Sequence, residues 1–436
     1  MANRSQTPRG LAVLAALAAT SLPATAQTTG TVGPQIGPVV GATVAAPGGL
    51  VVGLHDAADL QAFTQDWGVL CVGATSIGAT FELEASAMIG SSTPAKVSER
   101  IALDPRVRFV EPNQPLQAPE GKGCLAPPST VSGLPCTISF YDGDPAPTKY
   151  YQQPLTPIID LGGAQVHLTG IPTTVAVIDT GIDPTHPLFA GRFAGPGFDF
   201  LTGQVGGLDI ADGLDNDLDG LADEAHGHGT HVAGTIALIN PDAKLLPLRV
   251  LDSDGNGTAF DVAEAIYFAL ENGAQVINLS LGMDGVSVAV VEALQLARAM
   301  DVDVYAAAGN QGALGVSFPA SHRTVLAVTA VDDLDVKAAF ASYGPEVAIA
   351  APGVDIYSAM PGDAWAWWSG TSMATAVVSG VGSLVYSLDP LSDDGAEDVA
   401  ESVEPIGLQN PGLDGLIGRG RVDAGETAEE VLHLED

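Results

Sequence analysis

Residues 244 to 281 read Lys-Leu-Leu-Pro-Leu-Arg-Val-Leu-Asp-Ser-Asp-Gly-Asn-Gly-Thr-Ala-Phe-Asp-Val-Ala-Glu-Ala-Ile-Tyr-Phe-Ala-Leu-Glu-Asn-Gly-Ala-Gln-Val-Ile-Asn-Leu-Ser-Leu. Lys244 to Leu251 is a short apolar run. Thr258 to Asn272 sets Phe260, Ala263, Tyr267 and Leu270 on one face at helical spacing, and Val276 to Leu281 is apolar again. Strand, amphipathic helix and strand in that order predict a parallel pair with a helical crossover. The pattern extends outward. Val175-Ala-Val-Ile-Asp179 reads as an earlier strand, a helix is expected from about Gly229, and a helix over Val286 to Met300 precedes a strand over Asp303 to Ala308. Continuous apolar strands alternating with helices predict an α/β fold whose parallel sheet is covered on both faces. Function is then expected beyond the carboxyl ends of the strands.

The chain of 436 residues, 46% of them apolar, has room for this domain and a smaller one. Residues 48–113 predict the smaller one, strand-helix-strand-strand-helix-strand, which is a small α+β split βαβ unit of ferredoxin-like kind. Ahead of it, Arg4 and Arg9, the run Leu11 to Ala19 and Ala24-Thr-Ala26 have the layout of a cleaved secretory signal over 1–26, followed by a linker over 27–47. Residues 114–149 are rich in Pro and Gly and read as a second linker; 150–424 form the large domain and 425–436 an acidic tail. Fifty-two acidic against 16 basic residues, a net charge of −36, exclude nucleic-acid backbone binding and favour solubility and cation binding. Beyond the leader no run is read as a membrane anchor, so the mature protein is expected outside the cell or in the periplasm, as a monomer. Export permits disulfides, and Cys124 and Cys136 flank a loop that a bridge would staple, two independent thiols being the alternative. Cys71 is expected as a half-buried strand residue.

Four motifs at predicted strand or helix ends carry chemistry. Asp179 closes a strand in Ile178-Asp-Thr-Gly181, where a carboxylate can hold an imidazole; the two-carboxylate chemistry of Asp-Thr-Gly proteases needs a second copy that the chain lacks. His226-Gly-His-Gly-Thr-His231 supplies imidazoles that titrate near neutrality but not the i, i+4 pair of helical zinc motifs. Tyr305-Ala-Ala-Ala-Gly-Asn310 ends in an amide able to hold an oxyanion. Gly370-Thr-Ser-Met-Ala-Thr-Ala-Val-Val-Ser-Gly380 sets Ser372 at the mouth of an apolar helix, where a lone serine would be only a cap.

Asp179, His228, Asn310 and Ser372, in that order and those contexts, resemble a subtilisin-family (subtilase) serine endopeptidase over about 150–424. The resemblance implies Ser372 as nucleophile, His228 as base, Asp179 as its orienter and Asn310 as oxyanion donor, with His231 structural. It also implies that polypeptide substrates lie as a strand between Gly255-Asn256-Gly257 and Ser280-Leu281-Gly282. A pocket for an apolar or uncharged residue would be formed by Ser280 to Gly282, Ala307, Gly309 and Ser317. The split βαβ unit resembles the propeptide that assists folding and inhibits intramolecularly, cut somewhere between about 114 and 150. Ala376 and Val377 depart from the Pro-His that follows the nucleophile in most members. A non-catalytic acidic, calcium-binding scaffold is the rival reading.

Upstream of His228, Asp212 to Glu224 spaces carboxylates at Asp215, Asp217 and Asp219, with Gly220 for a turn and Asp223 and Glu224 beyond. Oxygen ligands on alternate residues resemble the first half of an EF-hand-type loop, and calcium is the expected ion; a merely solvated acidic loop is the alternative. No cofactor is expected for catalysis.

Overall fold

A computed structural model describes residues 49–84, 94–119, 140–141, 147–392 and 395–433. The leader, the first linker and Cys124 with Cys136 lie outside the described residues. Two compact units divide the chain, one running to Asn113 and taking in Ala299–Asp301, the other comprising Gln114–Arg298 and Val302–Asp436.

The first unit has strands β1 (Leu50–Leu54), β2 (Leu70–Ala74), β3 (Thr80–Glu84) and β4 (Val107–Pro112), with helices Leu60–Trp67 and Pro94–Ile101. The sheet order is β2-β3-β1-β4, and every neighbouring pair is antiparallel. That is the split βαβ arrangement expected from the sequence. Its core is Leu50, Val52, Leu54, Phe63, Leu83, Val97 and Ile101, all buried. Cys71 is half-buried in β2 and donates from Sγ to Gly73 O, and burial pushes its thiol pKa up.

In the second unit the strands are β5 (Pro115–Gln117), β6 (Phe140–Tyr141), β7 (Thr174–Asp179), β8 (Phe198–Asp199), β9 (Gln204–Val205), β10 (Lys244–Arg249), β11 (Asn256–Thr258) and β12 (Val276–Leu279). They continue as β13 (Asp303–Ala307), β14 (Leu326–Val331), β15 (Val347–Pro352), β16 (Ile356–Met360), β17 (Ala364–Trp368), β18 (Val403–Glu404) and β19 (Arg421–Val422). The ten-stranded sheet runs β18-β19-β15-β14-β13-β12-β7-β10-β8-β9. From β15 to β10 every pair is parallel, and these strands are buried almost throughout, so both faces are covered as their unbroken apolar runs require. Helices Ala259–Glu271 and Val288–Ala299 fall where the periodicity set them; Thr258 caps the first through Oγ1, which accepts from Asp261 N.

Among the elements that differ from the sequence expectation are the two-residue strand Phe140–Tyr141, inside the second linker and paired with β17, and two others. Pro115–Gln117, read as linker, is a strand: it borrows its ladder from β11 and Gly282, so its own short proline-bearing sequence has no period to show. Helix Thr371–Leu388 has the length and hydropathy of a membrane span, though no such run was read beyond the leader; all of it is buried, which marks a core helix apolar all round. It packs beside helix His228–Ile239, and Gly380 makes the close approach, since a Cβ there would stand 2.5 Å from Ile239 Cβ.

Candidate active site

Asp179 is the last residue of β7, and its carboxylate is fully buried. Oδ1 lies 2.7 Å from His228 Nδ1 and accepts from Thr180 N at 2.7 Å. His228 opens helix His228–Ile239 and is itself fully buried. Gly229 must be glycine, because a Cβ would lie 2.2 Å from Gly181 O. The helix turn therefore rests directly on the turn that follows Asp179. Trp368 packs nearly perpendicular to both His228 and His231, with ring centroids 5.3 and 5.7 Å away. His231 Nε2 donates to Ile356 O and Ala366 O, at 3.1 and 3.2 Å. Burial, helped by His228, drives its pKa down to about 3, so this imidazole stays neutral and ties the helix to the β16–β17 hairpin.

Ser372 is in the first turn of Thr371–Leu388, where the positive end of the helix dipole favours negative charge. Its Oγ donates to Ser280 O at 3.4 Å, and Ser280 Oγ donates back to Ser372 O at 3.0 Å. Asn278 and Ser379 extend this brace between the end of β12 and the helix. Gly353 lets the helix start close to the sheet: a Cβ there would be 2.7 Å from Gly370 O. Asn310 Oδ1 accepts from Thr371 N at 3.0 Å and Thr371 Oγ1 at 2.9 Å, which fixes the amide's orientation beside Ser372.

Between Gly255–Gly257 and Gly282 lies the chain's own segment Gln114–Ala118. Asn256, Gly257 and Thr258 pair antiparallel with Gln117, Leu116 and Pro115. Gln117 exchanges both backbone hydrogen bonds with Gly282, at 3.0 and 2.9 Å, and Ala118 N donates to Gly255 O at 2.8 Å. Leu116 is buried. Of the pocket residues named from sequence, Gly282 and Gly309 both approach Ser317. A Cβ on Gly309 would meet Gln311 Oε1, Ser317 Oγ and Ser342 Oγ, and one on Gly282 would meet Ser317 Cβ. The Phe318–Pro319 bond is cis.

In the acidic loop, carboxylate oxygens of Asp215, Asp217 and Asp219 gather within 4.8 Å, as do those of Asp217, Glu224 and Asp254. Asp223 stands outside both groups, accepting instead from Asp212 N and Gly213 N. Neither buried carboxylate oxygen of Glu224 accepts a hydrogen bond from another residue. Burial, together with the charges of Asp254, Asp219 and Asp217, raises the Glu224 pKa to about 7. Asp254, absent from the sequence-based set, comes from the turn before β11; the alternation Asp252-Ser-Asp254 beside a glycine was its only sequence signal.

The family described as Subtilase family, peptidase S8, matches residues 170–403, more than half of the chain. The chain belongs to the subtilase family. Among curated relatives it is similar to the thermophilic serine proteinase of Bacillus sp. (strain AK1), 42% identical over 49% of this chain and 52% of the relative. It is also similar to M-protease of Shouchella clausii, 37% identical over 58% of this chain and 65% of the relative. Thermitase of Thermoactinomyces vulgaris is 35% identical over 57% of this chain and 86% of its own length. The chain thus spans about half to two thirds of the length of the first two relatives. Within this subtilase, Ala376 and Val377 are fully buried in an unbroken helix; an alanine there keeps the intrahelical N–H that proline would lack.

Proposed function

We propose that this subtilase is a secreted serine endopeptidase, monomeric, made as a precursor that cuts itself. The observation that carries the reading is the buried Asp179–His228 pair beside the helix that presents Ser372. With Nδ1–H held by Asp179, the other ring nitrogen, Nε2, takes the Ser372 proton as Oγ attacks the carbonyl carbon. Asp179 stabilises the imidazolium that forms. The oxyanion is received by the Asn310 amide NH2 and the Ser372 backbone N–H, a type of contact worth roughly 10²- to 10³-fold in rate per donor. His228 then returns the proton to the leaving amine, and water releases the acyl group by the same steps reversed. Substrate main chain adds as a strand between Gly255–Gly257 and Gly282, which reads backbone more than side chain. The small, uncharged lining of the pocket at Ser280–Gly282, Ala307, Gly309 and Ser317 favours an uncharged residue before the cut.

The register of Gln114–Ala118 supports inhibition by the chain's own N-terminal segment and a position for processing. Gln117 faces Gly282 in an antiparallel pair, so the residue two further on faces Ser280, whose carbonyl touches Ser372 Oγ. That residue is Pro119, and the bond attacked is the one to Glu120. A proline has no N–H for Ser280 O, so the occupant is cut slowly. Cys124 and Cys136 remain with the enzyme. Calcium fits the acidic loop, because the unpaired oxygens of Glu224 beside Asp217 and Asp254 offer a hard cation what nothing else there satisfies; Asp215 and Asp219 extend the set. Its part is structural.

A fluorophosphonate probe should label Ser372 in processed wild-type protein whose N-terminus is Glu120. Ser372→Ala should stay unlabelled and accumulate as precursor. Unlabelled wild type supports the non-catalytic scaffold instead, and normal processing of Ser372→Ala removes self-cleavage from the scheme.

A further inference from the structure

The helix that carries His228 starts without a cap of its own. Gly227 at the N-cap has φ of 94° and no side chain to offer. A side chain there would be strained, since the backbone is left-handed and a Cβ would lie 2.5 Å from Met360 Cε and 2.9 Å from Pro361 Cδ. The first turn is capped from elsewhere. Asp209, 8% exposed, accepts from Gly227 N at 3.1 Å, Thr230 N at 3.3 Å and Thr230 Oγ1 at 2.6 Å. Thr180 Oγ1 takes Gly229 N at 3.0 Å.

Asp209 is fastened in turn to the loop behind Asp179. Ile182 N donates to Gly207 O at 2.9 Å and Asp209 N to Ile182 O at 3.4 Å. Thr230 Oγ1, while donating to Asp209, accepts from Asp183 N at 3.0 Å. A Cβ on Gly181 would lie 2.5 Å from the Leu208 carbonyl, so these segments meet at backbone contact. Three separate stretches, 179–183, 207–209 and 227–230, thus close on one carboxylate.

We propose that Asp209 is the positioning residue of the His228–Asp179 pair: it caps the catalytic helix from outside and, through Thr230, locks that turn to the turn behind Asp179. It touches neither substrate nor Ser372, and acts by fixing where His228 stands. This rests on the reading of His228 as the base. Its charge has a second effect, because a buried anion near Asp179 favours the imidazolium. Burial raises the Asp209 pKa to about 6, with the Asp179 charge adding to it and the hydrogen bonds of Thr230 and Gly227 and the nearby His226 opposing it. Asp179, Asp183, His226 and His228 are the titratable groups around it.

The test uses full-length chains of wild type, Asp209→Asn, Thr230→Val and Thr230→Ser, with enzyme counted by fluorophosphonate titration of Ser372. Asp209→Asn should lower kcat about 10- to 100-fold, the range expected when a catalytic group is slightly misplaced, with KM changed less than about threefold. The acid limb of its kcat/KM profile should move to lower pH. Thr230→Val should lose less, and Thr230→Ser should return to within about twofold of wild type. Wild type that does not label overturns the peptidase reading itself. Wild type that labels, with Asp209→Asn matching it in kcat and acid limb, overturns positioning alone. So does an Asp209→Asn chain that has fewer titratable sites but unchanged kcat per site, which is the mark of a purely structural role. If Asp209→Asn yields no folded chain, Thr230→Val decides in the same way: unchanged kcat and acid limb overturn the proposal.

Discussion

Asp303 begins β13 with its carboxylate buried, where Oδ2 accepts from Tyr386 Oη at 3.0 Å and Tyr305 Oη at 3.3 Å. Burial raises its pKa to about 6, and the two phenols only partly oppose this. The unfolded chain releases this proton near pH 4 and the folded chain near 6, so the stability Asp303 lends is full below about pH 4 and lost as pH rises through 6. His231 runs the other way. Its pKa is lowered to about 3, so its contribution is present above about pH 6.5 and declines as pH falls. Asp303→Asn keeps an acceptor for the phenols and removes the charge. In a Ser372→Ala background that prevents autolysis, it should raise stability at pH 8 by on the order of 2 kcal/mol and leave it little changed at pH 4. Thermal unfolding at both pH values measures this; equal shifts at the two would show that the carboxyl does not titrate between them.

The two helices that present His228 and Ser372 meet where Gly380 faces Ile239. Gly380→Ala gains helix propensity, worth about 1 kcal/mol in an exposed helix, but drives a methyl into Ile239 Cβ and Cγ1 at 2.5 and 2.9 Å. Overpacking a well-filled core costs about 1–3 kcal/mol, so the net effect should be destabilising and should lower kcat, because each helix carries one residue of the proposed catalytic set. Denaturant unfolding and kcat of the same sample test it; a more stable, fully active variant would mean the crossing is loose. Elements of this kind were legible when their own sequence carried a period, as with Ala259–Glu271 or the strands from β7 to β13. The residues at strand ends were legible too, because Asp179 and Asn310 stand next to glycine turns in the chain. Pro115–Gln117 was not, since its partner supplies the ladder. Asp209 and Asp254 were hidden for a related reason: they act on groups 18 to 38 positions away, and local spacing, even the Asp252-Ser-Asp254 alternation, does not report which groups those are.

At the scale of the molecule, a net charge of −36 sets every carboxylate against a repulsive background. The repulsion is strong where Asp217 and Glu224, from the loop between Asp209 and the helix of His228, and Asp254, from the turn before β11, bring oxygens within 4.8 Å. Ala225 N donates to Ser253 O at 2.9 Å and His226 N to Asp223 O at 3.1 Å, so disorder in the loop would reach the turn that carries His228. A divalent cation and simple salt relieve this differently. Salt screens exposed charges over about 10 Å at 0.1 M but screens this partly buried cluster less, whereas a bound ion replaces the missing hydrogen bonds of Glu224. At calcium about a hundredfold above its Kd, binding adds about 2.7 kcal/mol, which for a domain of this size corresponds to roughly 5–10 °C in Tm. Chelation of the Ser372→Ala chain should therefore lower Tm by about that amount, and millimolar calcium should restore it while sodium chloride of equal ionic strength does not. Asp254→Asn should abolish the calcium response without altering the response to sodium chloride. Full recovery with sodium chloride alone would reduce the loop to a solvated acidic surface, and a calcium response that survives Asp254→Asn would move the ion to Asp215, Asp217 and Asp219.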